Sequence, residues 1–400
     1  MIGFADAFDH EHRGCELLFG RGRVADLGDR LAAEGLDRAL VVCGSNVGAN
    51  DDLMDPIREG LGERHAGTFD GTTPGKRIEE ATAALEAAQE VDADVLVGVG
   101  GGSSLDVARQ APLLAADDRS VADLRKEPDE TGSVEGFTAD PDLATVVIPT
   151  TFAGADVSTG GSLELFAADE SPTGQPITVS GSAWPVLDVL DPALFETTPT
   201  SVLAGSAMNG FNKGIETPYA ADASPASDAP AIHGLRFLAD ALPKVAGDGG
   251  EATPEAMERA VAGIALVQLD RKVSVVHAFG HGFARRYDVQ QGDVHAVVVP
   301  HVLAYLFAEV DGARRALAEG LGVDHAGRDD EAVAADVVSA VTEVRDALDV
   351  PRRARDLPGA DESDIPAIAA FIADDPPMER APAGLDGSAE RIEEALREAW

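Results

Sequence analysis

The sequence predicts an α/β N-terminal domain built on a parallel, Rossmann-like sheet, followed by an all-α C-terminal domain. From about Glu16 to Asp191 short β-rich runs alternate with helical patterns, and such alternation implies a parallel sheet covered by helices. After "DPALFETTP" the apolar spacing becomes helical almost to Trp400. Between the two textures the domains divide as 1–195 and 196–400.

In chain order, "RALVVCG", "DADVLVGVG", "LATVVIPTT" and "WPVLDVLD" read as strands, with "RIEEATAALEAAQEV" as a helix between the first two. The acidic stretch "RKEPDETGSVEGFTADPD" and the segment "AADESPTGQP" read as exposed connections, rich in Gly, Pro and acids. The helical half contains "AIHGLRFLADALPKVA", "PEAMERAVAGIALVQL" and "DEAVAADVVSAVTEVRDAL", with no internal repeat.

Composition bounds the function classes. Four hundred residues, 44% of them hydrophobic, suffice for a sizeable core. Seventy-one acidic against 31 basic residues give a net charge of -40, scattered along the chain. This is the surface of a protein that stays soluble in concentrated salt, where screening is short, and it makes nucleic acid and anionic membrane poor partners. Cys15 and Cys43 are too few for a disulfide framework and lack zinc-site spacing, so both are expected to be ordinary buried thiols. No apolar run approaches the length of a membrane span, and the N-terminus has no basic segment followed by a long apolar one; a cytoplasmic protein with a small-molecule substrate is expected.

The strongest local signal is "VLVGVGGGSSLDVAR". An apolar strand, 95–99, ends in Gly100, Gly101 and Gly102, and Ser103 and Ser104 lead into a helix carrying Asp106 and Arg109. Glycines admit close approach of a bulky anion, and the amides at a helix start supply donors, so the loop suits a pyrophosphate. A tight strand-to-helix turn without ligand is the alternative. Thr150 and Thr151, at the end of a predicted strand, are placed to hydrogen-bond an adenine or a nicotinamide amide, or else to cap a loop. In "HAFGHGFARRYDVQQGDVH", His277 and His281 stand four residues apart, on one helix face, the usual spacing for two metal-binding imidazoles.

Together these stretches resemble the iron-containing, or group III, alcohol dehydrogenase superfamily over nearly the whole chain. The family's GGGSxxDxxK loop is matched by Gly100 to Arg109, with arginine in place of the last lysine. "PTTFAGADVS" reads without a gap against the PTTYAGSEMT form of the maleylacetate reductase branch, and His295 and Pro300-His301 also match that branch. The resemblance implies a dinucleotide-binding domain, a helical domain, a nicotinamide between them, and a homodimer or higher homo-oligomer. The family's iron or zinc ligands fall on Asn209, Lys213, His277 and Gln291, so one of four survives. An ammonium has no lone pair, and an amide carbonyl is a weak ligand for a transition metal. A rebuilt site using Glu216, His277 and His281 is the alternative that keeps a metal.

The resemblance therefore implies an oxidoreductase in which a cation has replaced a cation: Lys213 as electrophile on the substrate oxygen, His277 or His281 as proton donor. The bland readings are a surface lysine and a pair of core histidines, and a dinucleotide-binding paralogue without turnover is the alternative from outside the enzymes. Arg285 and Arg286 are the candidates for binding a substrate carboxylate, or a solvated pair. Behind the first strand, where an acid would hold the ribose of NAD(H), stand Gly44, Ser45 and Asn46. NADP(H) is thereby allowed and preferred over NAD(H), with Arg23 and Lys76 as candidate phosphate partners.

Overall fold

The computed structural model of the chain describes residues 14–128, 132–247 and 252–400. The N-terminal stretch read for targeting signals, and residues 129–131 within the acidic connection, lie outside them. Eight strands are present among the described residues: β1 (Glu16–Phe19), β2 (Ala39–Gly44), β3 (His65–Thr72), β4 (Val95–Gly100), β5 (Ala144–Pro149), β6 (Leu163–Phe166), β7 (Ile177–Val179) and β8 (Leu187–Leu190). Six form a parallel sheet in the order β1-β8-β5-β4-β2-β3, and β6 and β7 form an antiparallel pair.

The central strands are apolar on both faces because both faces are covered. Every residue of β4 and all but Gly44 of β2 are buried. Side chains alternate across the strands: Val41, Cys43, Val95, Val97 and Val99 pack with Leu27, Met54 and Ile57, while Leu40, Val42 and Leu96 pack with Ile78, Ala81 and Val107. Chain order then fixes the site. From β2 the sheet grows one way to β3 and the other way to β4, so the ends of β2 and β4 flank a topological switch point, the place where such sheets bind ligands.

The four predicted strands are found as β2, β4, β5 and β8. β1, β3 and the β6–β7 pair were not legible as strands. β3, "HAGTFDGT", lies at a sheet edge, largely accessible and with two glycines, so it carries no apolar alternation. "AADESPTGQP" is the connection between β6 and β7.

The described residues from 199 onward form helices and short 3-10 turns with no strand. The main helices are Thr200–Glu216, Pro225–Val245, Pro254–Gln268, Val275–Ala284, Gln291–Glu309, Asp330–Ala347, Ile365–Ala373 and Ala389–Glu398. Side-chain caps set several starts: Ser224 in a capping box with Ser227, Thr253 on the Ala256 amide, and Asp329 on the Ala332 amide. Two compact units result, one α/β and one helical, dividing between Thr198 and Pro199, and the segment Phe152–Gly154 belongs with the helices. That segment is tied there by its Phe152 amide, which donates to Ser206 Oγ at 3.1 Å. No described helix is long and apolar enough to cross a membrane.

Candidate active site

In the α/β unit the predicted nucleotide residues converge. Gly44 ends β2, and Ser45 and Asn46 open the helical turn that follows it. Gly100 pairs with Pro149 in the sheet register and accepts the Thr150 amide at 3.0 Å, which sets the threonines beside the glycine loop. Gly100 has φ +124°, a backbone region that L side chains rarely adopt, and a Cβ there would lie 3.3 Å from Val47 Cγ2. Gly101 precedes the fifteen-residue helix Gly102–Ala116, and no side chain caps it. The Ser104 amide donates to Gly101 O at 3.1 Å, while the amides of Gly102 and Ser103, at the very start, have no carbonyl one turn earlier in the helix and suit an anion. A Cβ on Gly101 would lie 3.5 Å from Thr151 Cγ2. The cradle therefore fits a dinucleotide pyrophosphate by its backbone.

Side chains around the loop are mostly structural. Asp106 accepts from Lys76 Nζ at 2.9 Å and lies 3.6 Å from the Arg109 guanidinium. Lys76 also donates to Ser162 Oγ at 3.2 Å, and Arg23 pairs with Asp26 at 2.7 Å. Neither cation is set aside for a phosphate, because each already neutralises a carboxylate. No carboxylate stands at Gly44, Ser45 or Asn46; in the fold Asp70 of β3 lies beside the turn that follows them. A Cβ added at Gly48, in the turn after Asn46, would come within 2.9 Å of Asp70 Cβ.

Arg109, the residue that departs from the family lysine, is fully buried. It donates to the carbonyls of Gly160, Ala155 (3.0 Å) and Asp156 (3.1 Å), bracing the loop after β5. Burial lowers its pKa, opposed by Asp106, Asp156 and Asp188. Burial, then the neighbouring Asp156, raise the Asp188 carboxyl well above the ordinary carboxylate range. Cys15 is half-buried rather than buried, and burial followed by Asp188 pushes its thiol up to about 12.

In the helical unit Lys213 is 6% exposed, which overturns the reading of a surface lysine. Its Nζ donates to the carbonyls of Ala153, at 2.7 Å, and Gly154. Three residues on, Glu216 is completely buried and accepts at Oε1 from the amides of Ser274 (3.0 Å) and His277 (3.1 Å). Its Oε2 is hydrogen-bonded to His277 Nδ1. Burial raises the Glu216 carboxyl to about 8 against the lowering pull of those amides. His277 is pushed well below its ordinary value, by burial first and then by the Lys213 ammonium and His281. The His295 ring meets His277 edge-on at 4.5 Å and is likewise depressed, chiefly by burial. It fits because residue 280 is glycine: a Cβ there would lie 2.3 Å from His295 Nε2.

His281, one turn after His277, has a partner that no sequence motif signalled. Its Nδ1 lies 2.8 Å from Asp375 Oδ2, ninety-four residues away. Arg286 pairs with Asp364 at 2.7 Å, and the Arg285 guanidinium stacks 5.1 Å from the Phe371 ring centre; both arginines are exposed. At the positions that the resemblance assigns to a metal, Asn209 Nδ2 faces Gln291 Oε1 at 3.5 Å, Lys213 grips two carbonyls, and His277 Nδ1 is held by Glu216. No cluster of three or more His, Cys, Asp or Glu suited to a metal ion occurs among the described residues. That donor set does not fit iron or zinc: an ammonium and two amides replace three ligands.

Known proteins resemble this chain in sequence and in fold. An NAD-dependent methanol dehydrogenase from Bacillus methanolicus is 28% identical over 88% of this chain and 90% of its own length. Maleylacetate reductase 1 from Cupriavidus pinatubonensis is 27% identical over 79% of each chain. A solved alcohol dehydrogenase from Oenococcus oeni superposes with a TM-score of 0.82 at 19% identity, covering 97% of this chain and 98% of that one, a likeness of fold. Residues 15–174 match the iron-containing alcohol dehydrogenase family and residues 203–400 match that family's C-terminal domain. With both units matched, the chain belongs to the iron-containing alcohol dehydrogenase family of oxidoreductases.

Proposed function

We propose that the protein is an NAD(P)-dependent oxidoreductase that moves hydride between nicotinamide and a small carbonyl compound or activated alkene, with the Lys213 ammonium in the role that relatives give a metal. The observation carrying this reading is the buried Lys213 Nζ, aimed by the Ala153 and Gly154 carbonyls and beside a histidine whose charge it disfavours. The nicotinamide, bound through Gly44, Ser45, Asn46, the 100–103 loop and Thr150-Thr151, supplies the hydride. Lys213 stabilises the negative charge that grows on the substrate oxygen, a fixed charge in a site shielded from water. His277 or His281 handles the proton. Asp70 beside the ribose-end loop favours NAD(H) by repelling a 2'-phosphate, against the preference read from the sequence.

The test is metal content and turnover together. Protein purified without chelator is analysed for iron and zinc, then assayed with NADH and NADPH against short aldehydes, ketones and maleylacetate. Substoichiometric metal, turnover insensitive to chelator, and loss of turnover in Lys213→Ala with retained nicotinamide affinity support the reading. Stoichiometric iron or zinc that is needed for activity overturns it.

A further inference from the structure

We propose that Lys76 is a positioning residue for the cofactor and acts through Asp106: its ammonium cancels a carboxylate that the pyrophosphate helix carries just past its first turn, so that the glycine loop can hold the phosphates; this rests on the nicotinamide-binding reading above. Asp106 is the fifth residue of Gly102–Ala116, about 6 Å along the axis from the helix start at roughly 1.5 Å per residue. The helix dipole favours an anion at this end, and Asp106 is already one, on a chain of net charge -40. Two negative groups at one helix end repel each other unless a cation stands beside them.

The fold fixes Lys76 in that place. The Thr72 and Ser104 hydroxyls are hydrogen-bonded at 2.6 Å, which fastens the end of β3 to the first turn of the helix. The turn that follows is closed by the Thr73 amide on Glu80 Oε2 at 2.9 Å and by the Lys76 amide on Thr73 O at 3.2 Å. Lys76 takes φ +50°, a left-handed backbone that residues other than glycine rarely adopt, and its carbonyl accepts the Glu164 amide at 2.8 Å. Strain of this kind persists where the surrounding contacts over-determine it. From there Nζ donates to Asp106 Oδ2 at 2.9 Å and to Ser162 Oγ at 3.2 Å, joining the β3 turn, the helix and the residue that leads into β6.

This pairing is unlike that of the surface lysines. Lys126 and Lys244 reach acids three and four residues away, with side chains 74% and 48% accessible. Lys76 is 27% accessible and Asp106 15%, and thirty residues separate them. Arg109, the other cation beside Asp106, lies farther off at 3.6 Å and gives its guanidinium to the carbonyls of Gly160, Ala155 and Asp156. Asp106 therefore depends on Lys76 for its close counter-charge. Lys76 need not touch a phosphate to matter for one.

The test is fluorescence titration of the full chain with NADH and NADPH at about 0.1 M and about 1 M salt, between which the screening length falls from roughly 10 Å to 3 Å. Lys76→Met weakens binding by roughly 3- to 30-fold at the lower salt, the span for one unit charge within about 10 Å of an anion at a partly exposed site. The deficit shrinks at the higher salt, and Lys76→Arg regains most of the affinity. In turnover the nicotinamide KM rises while kcat holds, as for an interaction made equally in the ground and transition states. Lys76→Met combined with Asp106→Asn returns affinity to within about twofold of wild type, because the charge that needed cancelling is gone. A mere brace would not be mended by a second substitution. A Lys76→Met protein that binds as wild type does, a deficit equal at both salts, or one that the double variant retains overturns the inference. Should Lys76→Met fail to fold, Lys76→Gln keeps donors for Asp106 and Ser162 without the charge, and the same two salts decide with it. A wild type that binds nicotinamide but is indifferent to Lys76 removes this inference alone; a wild type that binds neither NADH nor NADPH removes the function as well.

Discussion

The two units carry function in opposite ways. The α/β unit offers backbone: amides at the start of Gly102–Ala116, a glycine at φ +124°, strand ends brought level by sheet register. Its charged side chains near the loop, Lys76, Asp106 and Arg109, hold one another and the chain. The helical unit offers side chains, and its groups are paired over long spans: Lys213 with Gly154, 59 residues away, His277 with Glu216 at 61, and His281 with Asp375 at 94. A backbone site survives most substitutions nearby, whereas a side-chain site changes its chemistry when one residue changes. This is consistent with a glycine loop that is intact here beside three changed positions among the four that the resemblance assigns to a metal.

The largest expected effects set these two modes against each other. Lys213→Met keeps volume and removes the charge; kcat falls by about 10²- to 10³-fold while nicotinamide affinity holds. Gly100→Val does the reverse. It forces a β-branched residue into a positive-φ position and against Val47, a strain on the order of 1–3 kcal/mol, and nicotinamide affinity collapses. Fluorescence titration and steady-state kinetics on both variants check the contrast. If Lys213→Met loses nicotinamide as badly as Gly100→Val, the division of labour is wrong.

Legibility in the sequence followed the same division. Gly44, Gly100 to Gly102 and Thr150-Thr151 were readable because each closes an apolar strand, and parallel topology brings the ends of neighbouring strands together. Lys213, His277 and His281 were readable through helical spacing and resemblance. Their partners were not. Glu216 was in view as a metal ligand and is a buried acceptor for His277; Asp375 lies in a stretch with no periodicity of its own. Arg109 looked like an imperfect copy of a lysine, yet its fork of donors reaches three carbonyls that a lysine ammonium cannot satisfy in one plane. Pairings across tens of residues depend on tertiary packing, which local pattern does not encode.

Arg109 gives the next effect in size. Arg109→Met leaves the Gly160, Ala155 and Asp156 carbonyls without their donor and removes the buried positive charge beside Asp106, and removing one partner from a buried charged network costs about 3–5 kcal/mol. Arg109→Lys keeps the charge and loses the fork, at roughly 1–3 kcal/mol. Urea unfolding of both variants orders them; equal stability of Arg109→Lys and wild type would return this position to a simple family substitution. Asp188 sharpens the same network through pH. Its folded pKa is raised, chiefly by burial, so between its ordinary value near 4 and the raised one the unfolded chain releases a proton that the folded chain keeps. The stability it contributes is complete at the acid end and is lost as pH rises through the folded pKa. Asp188→Asn removes that slope, so wild-type and variant unfolding free energies diverge with rising pH; parallel curves would refute the protonated carboxyl.

Arg286 is the smallest and tests the rim of the helical unit. Its guanidinium is half exposed and already joined to Asp364 at 2.7 Å, so it is an accessible ion pair rather than a waiting receptor. Exposed pairs contribute little because solvent and salt screen them. Arg286→Ala therefore leaves the melting temperature unchanged, and leaves KM for maleylacetate within roughly twofold, since a rim charge with its own partner adds little to ground-state binding. Asp364→Ala is the informative companion: it frees the guanidinium without removing it. A KM that falls in Asp364→Ala and rises in Arg286→Ala would show the arginine shared between protein and substrate carboxylates, and would restore the carboxylate-binding role expected of Arg285 and Arg286.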